Sequence, residues 1–277
     1  MNYYYTIAGL ADIHLSDTKA VAMTDLANEL EQVLSKQDLA LFRLVRMKYD
    51  NAYFLNLLQG KEAETHPLAL LTKEDWEAWK TEYAEEGKVT EKNKQRKMLL
   101  DYFRAFYEKY TANDREILTE DLLAAEYYSR GMACKNNFLA AWFEFNLNIN
   151  NLLVAITCKK HGMDVRKYVL GNNEVAETLR TSNARDFDLA DSFDSYDEVA
   201  RIAELNDLLE REKRMDALKW NWLEERIFML PFSIERLLAF WLQSELLQRW
   251  EGLSPERGKQ VFRDMMNDFK KEVKFQS

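Results

Sequence analysis

Apolar residues along this chain recur at helical spacing with few interruptions. From Thr24, a residue suited to an N-cap, Leu26, Leu30, Val33 and Leu34 mark the face of a first helix. A second runs from Lys36 to Leu58 with Leu41, Leu44, Val45, Tyr49, Leu55 and Leu58 on one side, and His66-Pro67 ends that unit. Thr72, followed by Lys73-Glu74-Asp75, reads as an N-cap with an acid-rich first turn, which suits the partial positive charge of a helix start. That helix carries Trp76, Trp79 and Tyr83 and stops near Gly87. A long amphipathic helix begins around Thr90, its seam formed by Met98, Leu99, Tyr102, Phe103, Phe106, Tyr107 and Tyr110.

Residues 119–130 form a further helix with Leu122, Leu123 and Tyr127. The segment 136–158 differs from the rest in being apolar around its whole circumference, with Phe138, Leu139, Trp142, Phe143, Phe145, Leu147, Ile149, Leu152, Leu153 and Ile156. Such a helix is expected to be buried on nearly every side and to form the centre of the core. Lys159, Lys160 and His161 near its carbonyl end, with Gly162 beyond, read as its stop. The stretch 168–197 is the least helical, with Gly171-Asn172-Asn173 and an acid-rich segment. Helices resume at Asp197 and run through Ile202, Leu205, Leu208, Leu209, Met215, Leu218, Trp222 and Ile227. Pro231 interrupts, a last strong helix spans 233–250, and Ser254-Pro255-Glu256 opens a short C-terminal one. Residues 1–20 read as an aromatic start, Tyr3-Tyr4-Tyr5, followed by a loop.

Composition agrees with this pattern. Hydrophobic residues make up 47% and charged residues 31%, the balance of a folded globular chain. Only 3 Pro and 8 Gly punctuate 277 residues, too few for the tight turns of a strand-rich fold. The expected fold is therefore all-α. The length admits one large domain or two modest ones; with two, an N-terminal lobe at 1–165 and a C-terminal lobe at 166–277 are expected. Met1 to Leu10 lacks the basic start of a secretory signal. The most apolar segment, 145–158, is too short to cross a membrane and contains Asn146, Asn148, Asn150 and Asn151. The net charge of -9 argues against nucleic acid as a partner.

Motifs for catalysis are missing. No Gly-rich phosphate loop, dinucleotide fingerprint or Gly-x-Ser-x-Gly elbow occurs in the sequence. His14, His66 and His161 lack helical metal spacing; Glu62 and His66 are four apart, but His66 precedes Pro67. Cys134 and Cys158 are expected to be buried reduced thiols. Asp186, Asp188, Asp191, Asp194, Asp197 and Glu198 invite a calcium reading, but counting from Asp186 the sixth position is Asp191, where an EF-hand needs Gly, and the twelfth is Asp197. No metal and no cofactor are expected. The segment is read as a solvated loop capping the next helix, and its functional reading is contact with a basic patch on a partner, through Asp186, Asp188, Asp191 and Asp194. Trp76 and Trp79 share a helix face and are either core or interface anchors. Asn146, Asn150 and Asn151 need hydrogen-bond partners in so apolar a helix, either in neighbouring helices or along a polar cavity.

Three long apolar helices carry an acid followed by an amide-rich stretch: Asp50-Asn51 with Asn56-Leu57-Leu58; Glu144 with Asn146-Leu147 and Asn150-Asn151-Leu152; and Glu245-Leu246-Leu247-Gln248-Arg249. This resembles the repeated helix pattern of the C subunit family of V-type and A-type ATPases, known as the d subunit in eukaryotes. The run from Pro231-Phe232-Ser233 through Phe240-Trp241-Leu242 is similar to that family's closing helix. Tyr3-Tyr4-Tyr5-Thr6-Ile7-Ala8-Gly9-Leu10 resembles an uncharacterised bacterial family found beside V-type ATPase subunits. The resemblance implies stacked, pseudo-repeated helical units forming an elongated or funnel-like bundle. It implies a non-catalytic central-stalk component linking the rotary shaft to the membrane rotor ring. Its partners would be the other stalk and rotor-ring subunits, and it would be cytoplasmic, reaching the inner membrane only through the complex. The alternatives are a helical-bundle metalloenzyme with carboxylate ligands near Glu126 and Glu144, and a free-standing helical adaptor.

Overall fold

The computed structural model describes residues 3–17, 21–85, 94–112, 119–182, 184, 186–189 and 191–251. Among the described residues every regular element is helical: eleven α-helices and one 3₁₀ turn, with no strand. They are α1 Tyr4–Ala8, α2 Met23–Val33, α3 Lys36–Leu58, α4 Lys73–Glu85, α5 Lys94–Ala112, α6 Thr119–Met132, α7 Asn137–His161, the 3₁₀ turn Val165–Lys167, α8 Glu174–Thr181, α9 Tyr196–Ala203, α10 Leu208–Ile227 and α11 Ile234–Glu251. The fold is all-α. No described helix is long and apolar enough to cross a membrane.

Local chemistry explains the boundaries. The Ser35 hydroxyl accepts from Asp38 N–H and starts α3. Thr72 and Asp75 cap α4 reciprocally: Thr72 N–H donates to Asp75 Oδ2 at 2.9 Å, and Asp75 N–H to Thr72 Oγ1 at 3.3 Å. Asn136 Oδ1 accepts from Leu139 N–H to open α7, and Gly162 closes it in the left-handed conformation, φ 66° and ψ 27°. Gly162 N–H returns to Lys159 O and Met163 N–H to Cys158 O, satisfying carbonyls that the helix end leaves unpaired.

Two elements depart from the sequence pattern. The aromatic start folds into the short helix α1, and the weakly helical stretch contains α8. The helices that resume at Asp197 are α9 and α10, separated where Asp207 Oδ1 accepts from Leu209 and Glu210 N–H. The short helix expected from Ser254 lies outside the described residues.

The chain divides into two compact units, the first Met1–Glu29 with Asp216–Ser277 and the second Leu30–Met215. Their boundaries fall inside α2 and α10, while the segment 166–197 lies inside the second unit. In the second unit α7 packs against α6, α8, α9 and the 3₁₀ turn, which bears out its place at the centre. Glu144, Asn150 and Thr157 remain exposed along one of its edges. Gly131 lets α6 approach α7 closely, since a Cβ there would lie 2.1 Å from the Phe143 ring. Tyr127 OH donates to Val45 O at 3.0 Å and ties α6 to α3. The remaining helices close over an aromatic cluster of Tyr53, Phe54, Trp76, Trp79, Phe103 and Phe106. In the first unit α11 buries the run from Leu237 to Ser244. Asp216 on α10, 1% exposed, accepts from Arg249 Nη1 at 3.0 Å and Trp250 Nε1 at 2.9 Å.

Candidate functional site

The most developed polar structure is a backbone latch that occurs twice in the second unit. On α3, Asp50 is 0% exposed and its carboxylate accepts from Leu70 N–H at 2.9 Å and Leu71 N–H at 2.9 Å. One turn earlier Arg46 donates through Nε to Leu68 O at 3.0 Å and through Nη2 to Ala69 O at 3.4 Å. Glu31 supports that arginine at 2.8 Å and holds Arg43 at 2.5 Å. The loop before α4 is thus gripped by an acceptor for its N–H groups and a donor for its carbonyls. Burial pushes the Asp50 carboxyl up to about 6, against the opposing pull of the two N–H donors and the Arg46 charge.

On α7 the same task falls to an amide. Asn151, 1% exposed, donates Nδ2 to Leu170 O at 2.8 Å and accepts Leu170 N–H on Oδ1 at 2.9 Å. The flanking carbonyls of Val169 and Gly171 accept from Arg180 Nη2 at 2.9 and 2.5 Å. Asn173 extends the latch. Its Nδ2 donates to Asn148 Oδ1 at 2.7 Å, while its Oδ1 caps α8 by accepting Ala176 N–H at 3.2 Å. In both copies a buried polar side chain on a long helix holds the backbone 19 or 20 residues further on.

Each amide of the Asn-rich helix takes part in a hydrogen bond. Asn146 donates to Trp142 O of its own helix at 2.8 Å, and the exposed Asn150 to Tyr128 OH at 2.7 Å. Trp76 and Trp79 are 1% and 4% exposed inside the aromatic cluster, which corrects their reading as partner anchors. Periodicity alone does not distinguish a core stripe from an exposed one.

The acidic segment is on the surface. Asp186, Asp188, Asp191 and Asp194 are all exposed, while Phe187, Leu189 and Phe193 between them are buried. Phe187 and Asp188 both adopt positive φ, 58° and 57°, a conformation that costs on the order of 1–3 kcal/mol per residue. The Phe187 ring is buried beneath Lys159, whose Nζ lies 3.5 Å from the ring centroid and donates to Ala184 O, contacts that offset the backbone cost. Desolvation lowers the Lys159 pKa, and the carboxylates of Asp186 and Asp188 oppose that shift.

Among the described residues no three His, Cys, Asp or Glu side chains converge on a metal position. Glu126 pairs with Lys109, and Glu144 accepts from Asn173 at 3.3 Å. Cys158 is buried and Cys134 half-buried, and burial raises both thiol pKa values away from reactivity. His66 stacks on Tyr49 and accepts Leu68 N–H on Nδ1 at 3.1 Å. A cleft of about 580 Å³ beside α4 mixes Lys61, Lys73 and Lys80 with Glu62, Glu64 and Glu77. A cleft of about 470 Å³ in the first unit is lined by Asp12, His14, Trp220, Glu224, Arg236 and Gln243.

One family model matches the chain, over residues 1–273, and the chain belongs to that family, described as a protein of unknown function (DUF2764). No curated protein and no solved structure matches it.

Proposed function

We propose that this member of the DUF2764 family is a non-catalytic coupling component of a V-type ATPase, joining the rotary shaft to the membrane rotor ring. The observation that carries the reading is the doubled latch. Asp50 and Asn151 lie within the first two segments whose pattern resembles the ATPase C subunit family, and in each a buried side chain fixes the loop that follows its helix. That is what a repeated helical unit requires. The third resembling segment is built differently, with Arg249 paired to Asp216. A protein that transmits torque needs stiff units, and latches of this kind resist loop movement because freeing a buried backbone group costs about 1–3 kcal/mol. The exposed carboxylates of Asp186, Asp188, Asp191 and Asp194 supply a docking face for a basic patch on a neighbouring protein of the stalk.

Affinity purification of the tagged chain from gently solubilised native membranes, followed by mass spectrometry, tests the assignment. The stalk and rotor-ring subunits are expected in the eluate. Recovery of the chain alone, with the ATPase assembled elsewhere in the lysate, would overturn the assignment and favour a free-standing adaptor.

A further inference from the structure

Two uncharged stretches of sequence, 3–11 and 227–234, meet in the first unit of a chain that is 31% charged overall. Tyr3 is 5% exposed, and its N–H donates to Phe232 O at 3.0 Å. This sets the Tyr4 ring against Phe232, centroids 4.9 Å apart, with Tyr5 edge-on to Tyr4 at 5.6 Å. The turn between α10 and α11 is closed by Leu230 N–H on Ile227 O at 2.9 Å, and Ser233 Oγ donates to Leu230 O at 3.3 Å. Its side chains nevertheless point outward. Phe228 and Met229 are each 80% exposed, Tyr5 90%, Tyr4 54%, Phe232 40% and Leu230 37%. At roughly 200 Å² per large side chain, these six residues expose about 750 Å². The largest apolar patch of an ordinary monomer is only about 300–600 Å².

We propose that this tip binds a lipid surface, with Phe228 and Met229 entering the boundary between headgroups and acyl chains. Three features select lipid over a protein partner. The two most exposed residues of the turn, Phe228 and Met229, are adjacent and both apolar, as an inserting tip requires. Hydrocarbon tolerates no charge, and neither stretch carries one. Tyr4 and Tyr5 flank the tip as amphipathic rings, the side chains enriched where membrane meets water. Glu225 and Glu235 offset Arg226 and Arg236 at the base of the tip, so the attraction comes from burial rather than from charge. The tip thus adds a direct membrane contact to a chain otherwise proposed to meet the membrane only through its partners, and it does not depend on that assignment.

The test is sedimentation of the purified full-length chain with phosphatidylcholine vesicles and with vesicles containing phosphatidylglycerol. The double variant Phe228→Ser/Met229→Ser and a Tyr5→Ser variant are run alongside, and circular dichroism verifies the helical content of each. Binding is expected to both vesicle types with little effect of salt, and the double substitution should weaken it at least tenfold. No binding to either vesicle type would overturn the proposal. So would binding only to anionic vesicles that salt abolishes and the double substitution leaves intact. Self-association of the wild-type chain that the double substitution abolishes, without vesicle binding, would make the tip a contact between copies and likewise overturn it.

Discussion

Replacing Asp50 with Asn removes a buried charge while keeping the shape of the side chain. The carboxyl group is 0% exposed, and its pKa rises from the ordinary 3.8 to about 6 because desolvation outweighs the Leu70 and Leu71 N–H donors and the Arg46 charge. At about 1.4 kcal/mol per tenfold change in proton affinity, that rise corresponds to roughly 3 kcal/mol. The sign is opposite to that of most carboxylates. The folded chain binds this proton more tightly than the unfolded chain does, so the group adds stability as pH falls through about 6. That contribution is complete below 3.8 and absent at pH values well above 6. Asn at this position has no such dependence. Urea unfolding of the wild-type and Asp50→Asn chains, followed by helical circular dichroism, isolates the effect, because every other titrating group is common to both. Between about pH 7.5 and about pH 4.5 the wild type should gain about 2 kcal/mol on the variant, the part of the full effect expressed by the lower pH. A difference that stays constant, or one that moves in the variant's favour on acidification, would refute the reasoning. It would mean that the N–H donors, not burial, set the balance at this latch.

Asn151→Leu should cost about 2–4 kcal/mol, read as a lower thermal midpoint, because both the N–H and the C=O of Leu170 lose their partner. Gly131→Ala places a Cβ 2.1 Å from the Phe143 ring and should cost about 1–3 kcal/mol in urea unfolding. Neutralising the exposed Asp191 and Asp194 together to Asn should leave the unfolding free energy within about 0.5 kcal/mol of wild type. On the proposed assignment, the same variant should co-purify less of the stalk proteins from native membranes, with the loss greatest at low salt.

Periodicity carried the helices well where the pattern was long and the caps were strong. The bounds of α3 were legible from its apolar face and those of α7 from Asn136, the terminal cations and Gly162. The break between α9 and α10 was less visible: apolar spacing continues across it, and the capping role of Asp207 depends on backbone geometry. The sequence leaves Trp76 and Trp79 open between core and partner anchor, because helical spacing looks the same whichever way a stripe faces. The need of the α7 amides for partners was legible, but the identity of those partners was not. Leu170 and Asn173 lie 19 and 25 residues from the groups they bind, beyond any local pattern. Asp50 stood out only within the resemblance, and its grip on Leu70 and Leu71 appears only in three dimensions.

On the proposed reading, the doubled latch stiffens the helical units and the acidic face meets a partner. Whether those units couple rotation to transport is tested most directly in membrane vesicles from cells lacking the chain, by measuring ATP hydrolysis and ATP-driven ion uptake together. The coupling account predicts that ion uptake collapses relative to hydrolysis and that adding back the purified chain restores it. Ion uptake that remains at wild-type levels per ATP hydrolysed would contradict it.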